Sequence, residues 1–116
     1  MVFTIVLSSV IATSTCNNKN NSSAIPRCIQ MKIETLQKAP VQNPAAIVIS
    51  YIYNGSEVYH FNAPCCDQFS LLYDENCALI CHPEGGITGN GDGKCSDFLA
   101  SSTDRKILWK DSRIRN

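Results

Sequence analysis

Apolar and polar positions follow three different patterns along the chain, and each pattern predicts its own element. From Ile25 to Lys38 (IPRCIQMKIETLQK) the apolar side chains fall at Ile25, Cys28, Ile29, Ile33 and Leu36. Residues three and four apart share one face of a helix, so this spacing predicts a helix with a single apolar stripe. Pro26 suits a first turn, where its missing N–H removes no hydrogen bond, and Pro40 and Pro44 prevent continuation. Cys28 lies on the stripe, so its sulfur faces inward and can meet a partner from a sheet.

A second pattern, rich in β-branched and aromatic residues, occupies Ala46–Tyr53 (AIVISYIY) and Glu57–Phe61 (EVYHF). Asn54-Gly55 joins them as a two-residue hairpin turn, whose central residues both take positive φ. Such a loop pairs Tyr53 with Ser56, Tyr51 with Val58 and Ile49 with His60. His60 is then expected as a half-buried, hydrogen-bonded structural histidine among aromatic and aliphatic neighbours. Pro64 ends the hairpin. Leu71–Tyr73 and Cys77–Cys81 read as two short extended pieces about the turn Asp74-Glu75-Asn76, and Ile107–Trp109 as a short final strand whose Trp109 packs on the sheet or helix. The third pattern is a glycine-rich loop from His82 to Cys95 (HPEGGITGNGDGKC), expected to offer little core. Together these predict an α+β fold, with an N-terminal helix packed on a small, mostly antiparallel sheet.

Ahead of the helix, Val2–Ala12 is an uncharged apolar run. It falls short of the roughly 20 apolar residues that span a bilayer but fits the hydrophobic segment of a secretory signal. Small residues (Ala12, Thr13, Ser14, Thr15) and a polar tract, NNKNNSS, follow it, which a core strand rarely does. Cys16 at that boundary resembles the lipidated cysteine of a bacterial lipoprotein signal, although Thr13 and Thr15 stand where such signals carry Leu and Gly or Ala. The expected organisation is a lipoprotein-type signal peptide over 1–15, a polar tether over 16–24, a cysteine-rich domain over 25–112 and a basic tail over 113–116. The expected address is the cell envelope, outside the cytoplasm, with the membrane as a partner through a lipid on Cys16.

Composition adds two points. Ten basic residues balance ten acidic ones in 116, so nothing electrostatic favours nucleic acid as a partner. Seven cysteines are many for such a length and suit a small exported domain. With Cys16 set aside for lipid, Cys28, Cys65, Cys66, Cys77, Cys81 and Cys95 form an even set able to close three bridges, whose pairing the spacing leaves open. Adjacent Cys65 and Cys66 point apart on an extended backbone and so suit stapling two different layers better than closing on each other.

Other chemistry is thinly supported. Cys77-x3-Cys81-His82 has an allowed zinc spacing but lacks any CxxC pair. Thr88, Asn90 and Asp92 fall at calcium-loop positions, with Leu99 where the bidentate Glu belongs, so the glycines read as turn formers. No nucleophile elbow frames His60 or His82, so no catalytic residue is assigned, and no cofactor is implied. The candidate binding loop is therefore His82, Glu84, Asn90, Asp92 and Lys94, presented to an unknown protein or small ligand.

Two resemblances accompany these readings. Cys66-x6-Tyr73-x3-Cys77-x3-Cys81, followed by Cys95, is similar to the central pattern of Kazal-type protease inhibitors, but adjacent Cys65 and Cys66, the helix and the hairpin depart from it. More broadly, Tyr53-Asn54-Gly55, Cys65-Cys66-Asp67-Gln68, Leu72-Tyr73-Asp74-Glu75-Asn76-Cys77, Gly91-Asp92-Gly93-Lys94-Cys95 and Trp109-Lys110 resemble a family of small cysteine-rich domains of unknown function. That family is carried by predicted lipoproteins and secreted proteins of Bacteroidetes-type bacteria, and the resemblance runs from about Pro26 to Asp111. It implies export and disulfides, and brings no activity with it.

Overall fold

At the Asn54-Gly55 turn both residues take the left-handed conformation, φ 51° and 78°, that a two-residue hairpin requires. In the computed structural model, which describes residues 24–114, this turn joins β1 (Ile47–Tyr53) to β2 (Ser56–Phe61). Their register pairs Tyr53 with Ser56, Tyr51 with Val58 and Ile49 with His60. The expected signal, most of the expected tether and Cys16, the expected lipidation site, lie outside the described residues.

The sheet then grows on both sides. β3 (Leu71–Tyr73) pairs with β2, β4 (Leu79–Cys81) pairs with β3, and β5 (Thr103–Lys110) returns along β1. The result is an open antiparallel sheet in the order β4-β3-β2-β1-β5, with two helices and disulfides. β5 runs well beyond the expected Ile107–Trp109. Its first five residues are exposed, and an edge strand paired on one side needs no apolar alternation to form, so periodicity alone does not find it.

Alternation along β1 and β2 splits the core in two. Val48, Tyr59 and Phe61 face helix α1 (Arg27–Lys38), whose Ile29 and Ile33 are buried against them, with Leu36, Leu71, Tyr73 and Trp109 around. Burying each of those two isoleucines contributes about 1.5–3 kcal/mol. Tyr53, Val58, Leu72 and Cys81 face the other way, toward Cys95 and Phe98. Phe98 opens α2 (Phe98–Ser101), a single turn that composition did not suggest. Its ring is 1% exposed, edge-on to Tyr51 and Tyr53 and parallel to His60. The glycine-rich stretch His82–Cys95 was expected to offer little core; its last residue, Cys95, is buried on this face, and Phe98 follows three residues later.

The disulfides correct a second expectation. Cys28–Cys77 spans 49 residues and Cys81–Cys95 spans 14, with Cα separations of 6.1 and 6.2 Å. Loop-closure entropy gives about 4 and about 3 kcal/mol for such spans. Cys65 and Cys66, expected to staple two layers, are bonded to each other. Side chains of neighbours point apart only where the chain is extended, and residues 65–67 form a turn.

Residue 113 returns to the helix. Arg113, expected in a solvated tail, donates from its guanidinium to the Leu36 and Gln37 carbonyls at 2.9 and 2.7 Å, and to the Asp111 carboxylate. Those carbonyls belong to the last turn of α1, which has no intrahelical donors for them. Hydrogen bonding to Asp111 raises the guanidinium's pKa, and the same bond holds the Asp111 carboxyl below its ordinary range.

Candidate functional site

Glycines and an aspartate shape the loop from His82 to Lys94. Asp92 accepts the Lys94 N–H at 3.0 Å and the His82 N–H at 3.2 Å, and its own N–H donates to the His82 carbonyl at 2.9 Å. The Lys94 N–H does most to hold the Asp92 carboxyl below the usual carboxylate range; burial pushes the other way, and the His82 N–H adds a smaller lowering. Both carboxylate oxygens are thus engaged in closing the loop, which argues against the calcium-loop alignment of Thr88, Asn90 and Asp92. Gly91 must be glycine for two reasons. Its φ is +67°, and a Cβ there would run into the His82 carbonyl and the Pro83 backbone.

The loop is also fastened to the strand before it. Ser70, 1% exposed, donates its N–H to the Glu84 carbonyl at 3.0 Å, while the Glu84 N–H donates to Ser70 Oγ at 2.9 Å. Gly85 meets Phe69 in an isolated bridge, and the Gly86 N–H donates to the Gln68 carbonyl. His82 Nδ1 lies 2.9 Å from the Ser70 carbonyl, which can only accept, so Nδ1 carries the proton in that bond. The His82 ring tilts over Phe69, with centroids 4.9 Å apart.

His60 sits below, on the sheet. Its ring is stacked on Phe98 and edge-on to Tyr51, and Nε2 lies 3.3 Å from Glu84 Oε1. It was expected to be half-buried and hydrogen-bonded. It is instead 6% exposed, and neither ring nitrogen has a well-aligned hydrogen bond among the described residues. Burial pushes its pKa down; the Glu84 carboxylate opposes this and Arg105 adds to it, with a net fall that keeps the imidazole neutral at pH 7.

Of the five predicted loop residues, the fold draws His82, Glu84 and Asp92 into one hydrogen-bonded knot. Asn90 and Lys94 stay on the exposed rim. The zinc reading closes here, because Cys77 and Cys81 are both in disulfides and cannot act as thiolate ligands. Among the described residues no three His, Cys, Asp or Glu side chains gather to hold a metal ion, and no helix is long and apolar enough to cross a membrane. The Kazal-like spacing does not produce a matching scaffold either, since Cys66 closes on its neighbour and Cys77 on the helix.

Three grooves surround this region. One of about 410 Å³ runs between α1 and the sheet, past Leu36, Phe61, Pro64, Gln68 and Phe69. It shares Leu36, Phe61 and Leu71 with a second, of about 270 Å³, that reaches Lys32 and Tyr73. A third, of about 340 Å³, lies on the loop side and is lined by Asp67, Phe69, Gly86, Ile87, Thr88 and Gly91. Neither histidine lines any of the three. Phe69 lines both the first and the third groove. Residue patterns missed Phe69 and Ser70 as site members, because each stands alone in sequence, and only the bridge to Gly85 and the bonds to Glu84 give them a role.

A family model described as Domain of unknown function (DUF6970) matches residues 34–111. The chain belongs to that family. The DUF6970 match takes in all five strands, α2, the cysteine turn and the glycine loop, and begins within α1 after Cys28. Comparison with curated proteins found no match, and comparison with solved structures found none either.

Proposed function

We propose that this DUF6970 domain is an exported binding module, held to a membrane by a lipid on Cys16, and that it recognises its partner with the surface where residues 65–69 meet residues 82–94. The observation that carries the recognition role is apolar exposure on a fastened frame. Ile87 is 92% exposed and Phe69 42% exposed, yet both stand on backbone pinned by Ser70, Asp92 and the Gly85 and Gly86 contacts. Apolar side chains held out in water on rigid backbone suit an interface, since little ordering entropy is lost when a partner covers them. Export is supported by sulfur. The six cysteines after Cys16 are all in disulfides, which persist outside reducing compartments.

Intact mass of the protein from its native envelope, alkylated before and after reduction, tests the address. An acyl mass on Cys16 is expected, with Cys28, Cys77, Cys81 and Cys95 alkylated only after reduction. An unmodified Cys16, or those four thiols free from the start, overturns it. A photoreactive residue placed at Ile87 tests the surface, with one at Met31, exposed on the opposite, helix-covered side, as comparison. A discrete adduct from position 87 alone is expected; none from 87, or equal adducts from both, ends the reading.

A further inference from the structure

The three disulfides do not share one role. Cys28–Cys77 joins α1 to the β3–β4 turn across 49 residues, and Cys81–Cys95 ties the end of the glycine loop to β4 across 14. Each of these is coupled to folding: the stability a bridge lends to the native state is returned to it as resistance to reduction. Cys65–Cys66 joins adjacent residues. It closes no loop, so the folded state offers it no such protection.

Access separates them as well. Cys65 and Cys66 are both exposed in the turn over 65–67, whereas Cys81 and Cys95 are buried and Cys28 and Cys77 half-buried. Thiol–disulfide exchange requires a thiolate to reach a sulfur, so the exposed pair is open to attack while the fold shields the others. Its surroundings also differ. Asp67 of the turn, with Gln68 and Phe69 directly after it, stands in the walls of two grooves, one on each side, so the bridge lies beside both.

We propose that Cys65–Cys66 is a thiol–disulfide exchange site that accepts two electrons from an external dithiol while the other two bridges stay closed. One thiolate of the dithiol attacks a sulfur of the pair. The Cys65–Cys66 bond breaks, and the sulfur that leaves takes up a proton. The second thiolate of the dithiol then attacks its own bound sulfur, forming the dithiol's internal disulfide and releasing the remaining cysteine, which is protonated in turn. The dithiol loses two electrons and two protons, and Cys65 and Cys66 gain them as thiols. The α1 and β4 attachments are unchanged, so reduction is confined to the turn and the groove walls it carries.

The test equilibrates the full chain in mixtures of reduced and oxidised dithiothreitol, quenches with acid, alkylates, and maps labelled cysteines by peptide mass. Cys65 and Cys66 are expected to open at a reduced-to-oxidised ratio about 100-fold below that which opens Cys28, Cys77, Cys81 or Cys95, the factor by which folding protects the shorter of the two coupled bridges. Amide shifts in the reduced turn are expected to move at residues 64–69 and 85–88 and to stay fixed in α1. C65S/C66S is expected to keep its unfolding midpoint and to oxidise no dithiothreitol in the low range. Opening of the pair together with or after either other bridge overturns the proposal, as does equal dithiothreitol oxidation by C65S/C66S. Should that variant not fold, the labelling order in the unaltered chain decides alone.

Discussion

One face of the sheet is covered by α1, which buries Ile29 and Ile33 against Val48, Tyr59 and Phe61 through regular helical spacing. The other is covered by a chain with a single helical turn, held by Cys81–Cys95, by the Ser70–Glu84 and Asp92–His82 bonds, and by Phe98. The first face is built from periodicity and apolar area, the second from cross-links, glycine conformations and one large ring. Helical packing distributes its stabilisation over many small contacts, while an irregular cover concentrates it in few. The loop side therefore breaks at single residues, and its exposed parts can vary without disturbing the sheet.

Substitutions of that kind separate the two faces, and the largest effect is expected at Phe98. Phe98→Ala should cost about 3–5 kcal/mol in urea unfolding, the range for a fully buried aromatic side chain. Its hydrogen-exchange losses should centre on residues 82–102 and spare α1; equal losses in α1 would mean that the faces are not separable. Next come the bridges. C28S/C77S should cost about 4 kcal/mol and C81S/C95S about 3 kcal/mol, following their spans. The reverse order in unfolding midpoints would show that strain or residual structure, and not loop length, sets their worth.

Glycine geometry gives a smaller and sharper contrast. Gly91 and Gly93 both hold positive φ, but a Cβ meets backbone only at Gly91. Gly93→Ala should cost about 1–2 kcal/mol, the left-handed penalty alone, and Gly91→Ala clearly more, with loss of the Asp92–His82 bonds seen in amide shifts. The smallest effect is a slope with pH. His60 has its pKa lowered in the fold, so the unfolded chain takes up the proton first as pH falls. Its contribution is therefore fully present above the unfolded value of about 6.5 and is lost as pH drops through the lower folded value. Stability measured from pH 7.5 to pH 5 should decline, and His60→Phe should flatten that decline. An unchanged slope in the variant would assign it to other groups. Asp92 and Asp111, both lowered, lose their contribution only at more acid pH.

The hairpin was legible because Asn54-Gly55 leaves a two-residue loop, and such a loop admits one register. The helix was legible because Ile29, Ile33 and Leu36 recur at its period. β5 was only partly legible: Thr103–Lys106 are exposed and charged or polar, and what makes them a strand is the free edge of β1, which no local pattern reports. The sulfur pairing was not legible, since bridges depend on which turns come together, and the backbone bond at the Cys65–Cys66 turn, from the Cys65 N–H to the Asn43 carbonyl, joins residues far apart in sequence. At the candidate site, composition pointed to the loop. The fastening did not show, because its partner Ser70 lies 14 residues from Glu84 and nothing in a lone serine signals it. Phe98 escaped for the same reason, as the single buried residue in a helix of four.

Cys28 is the second residue of α1, and this gives the fold a mechanical property. A pull arriving along the chain from residue 24 crosses into Cys77 before it can load the helix beyond its first turn. From Cys77 three residues lead to Cys81, where the chain enters the His82–Lys94 loop whose far end is bonded back through Cys95. Tension between the N-terminal side and a partner gripping that loop thus runs through backbone and sulfur alone. The hairpin, β5 and most of α1 lie off the line of force, and of the sheet only the edge strand β4 is on it.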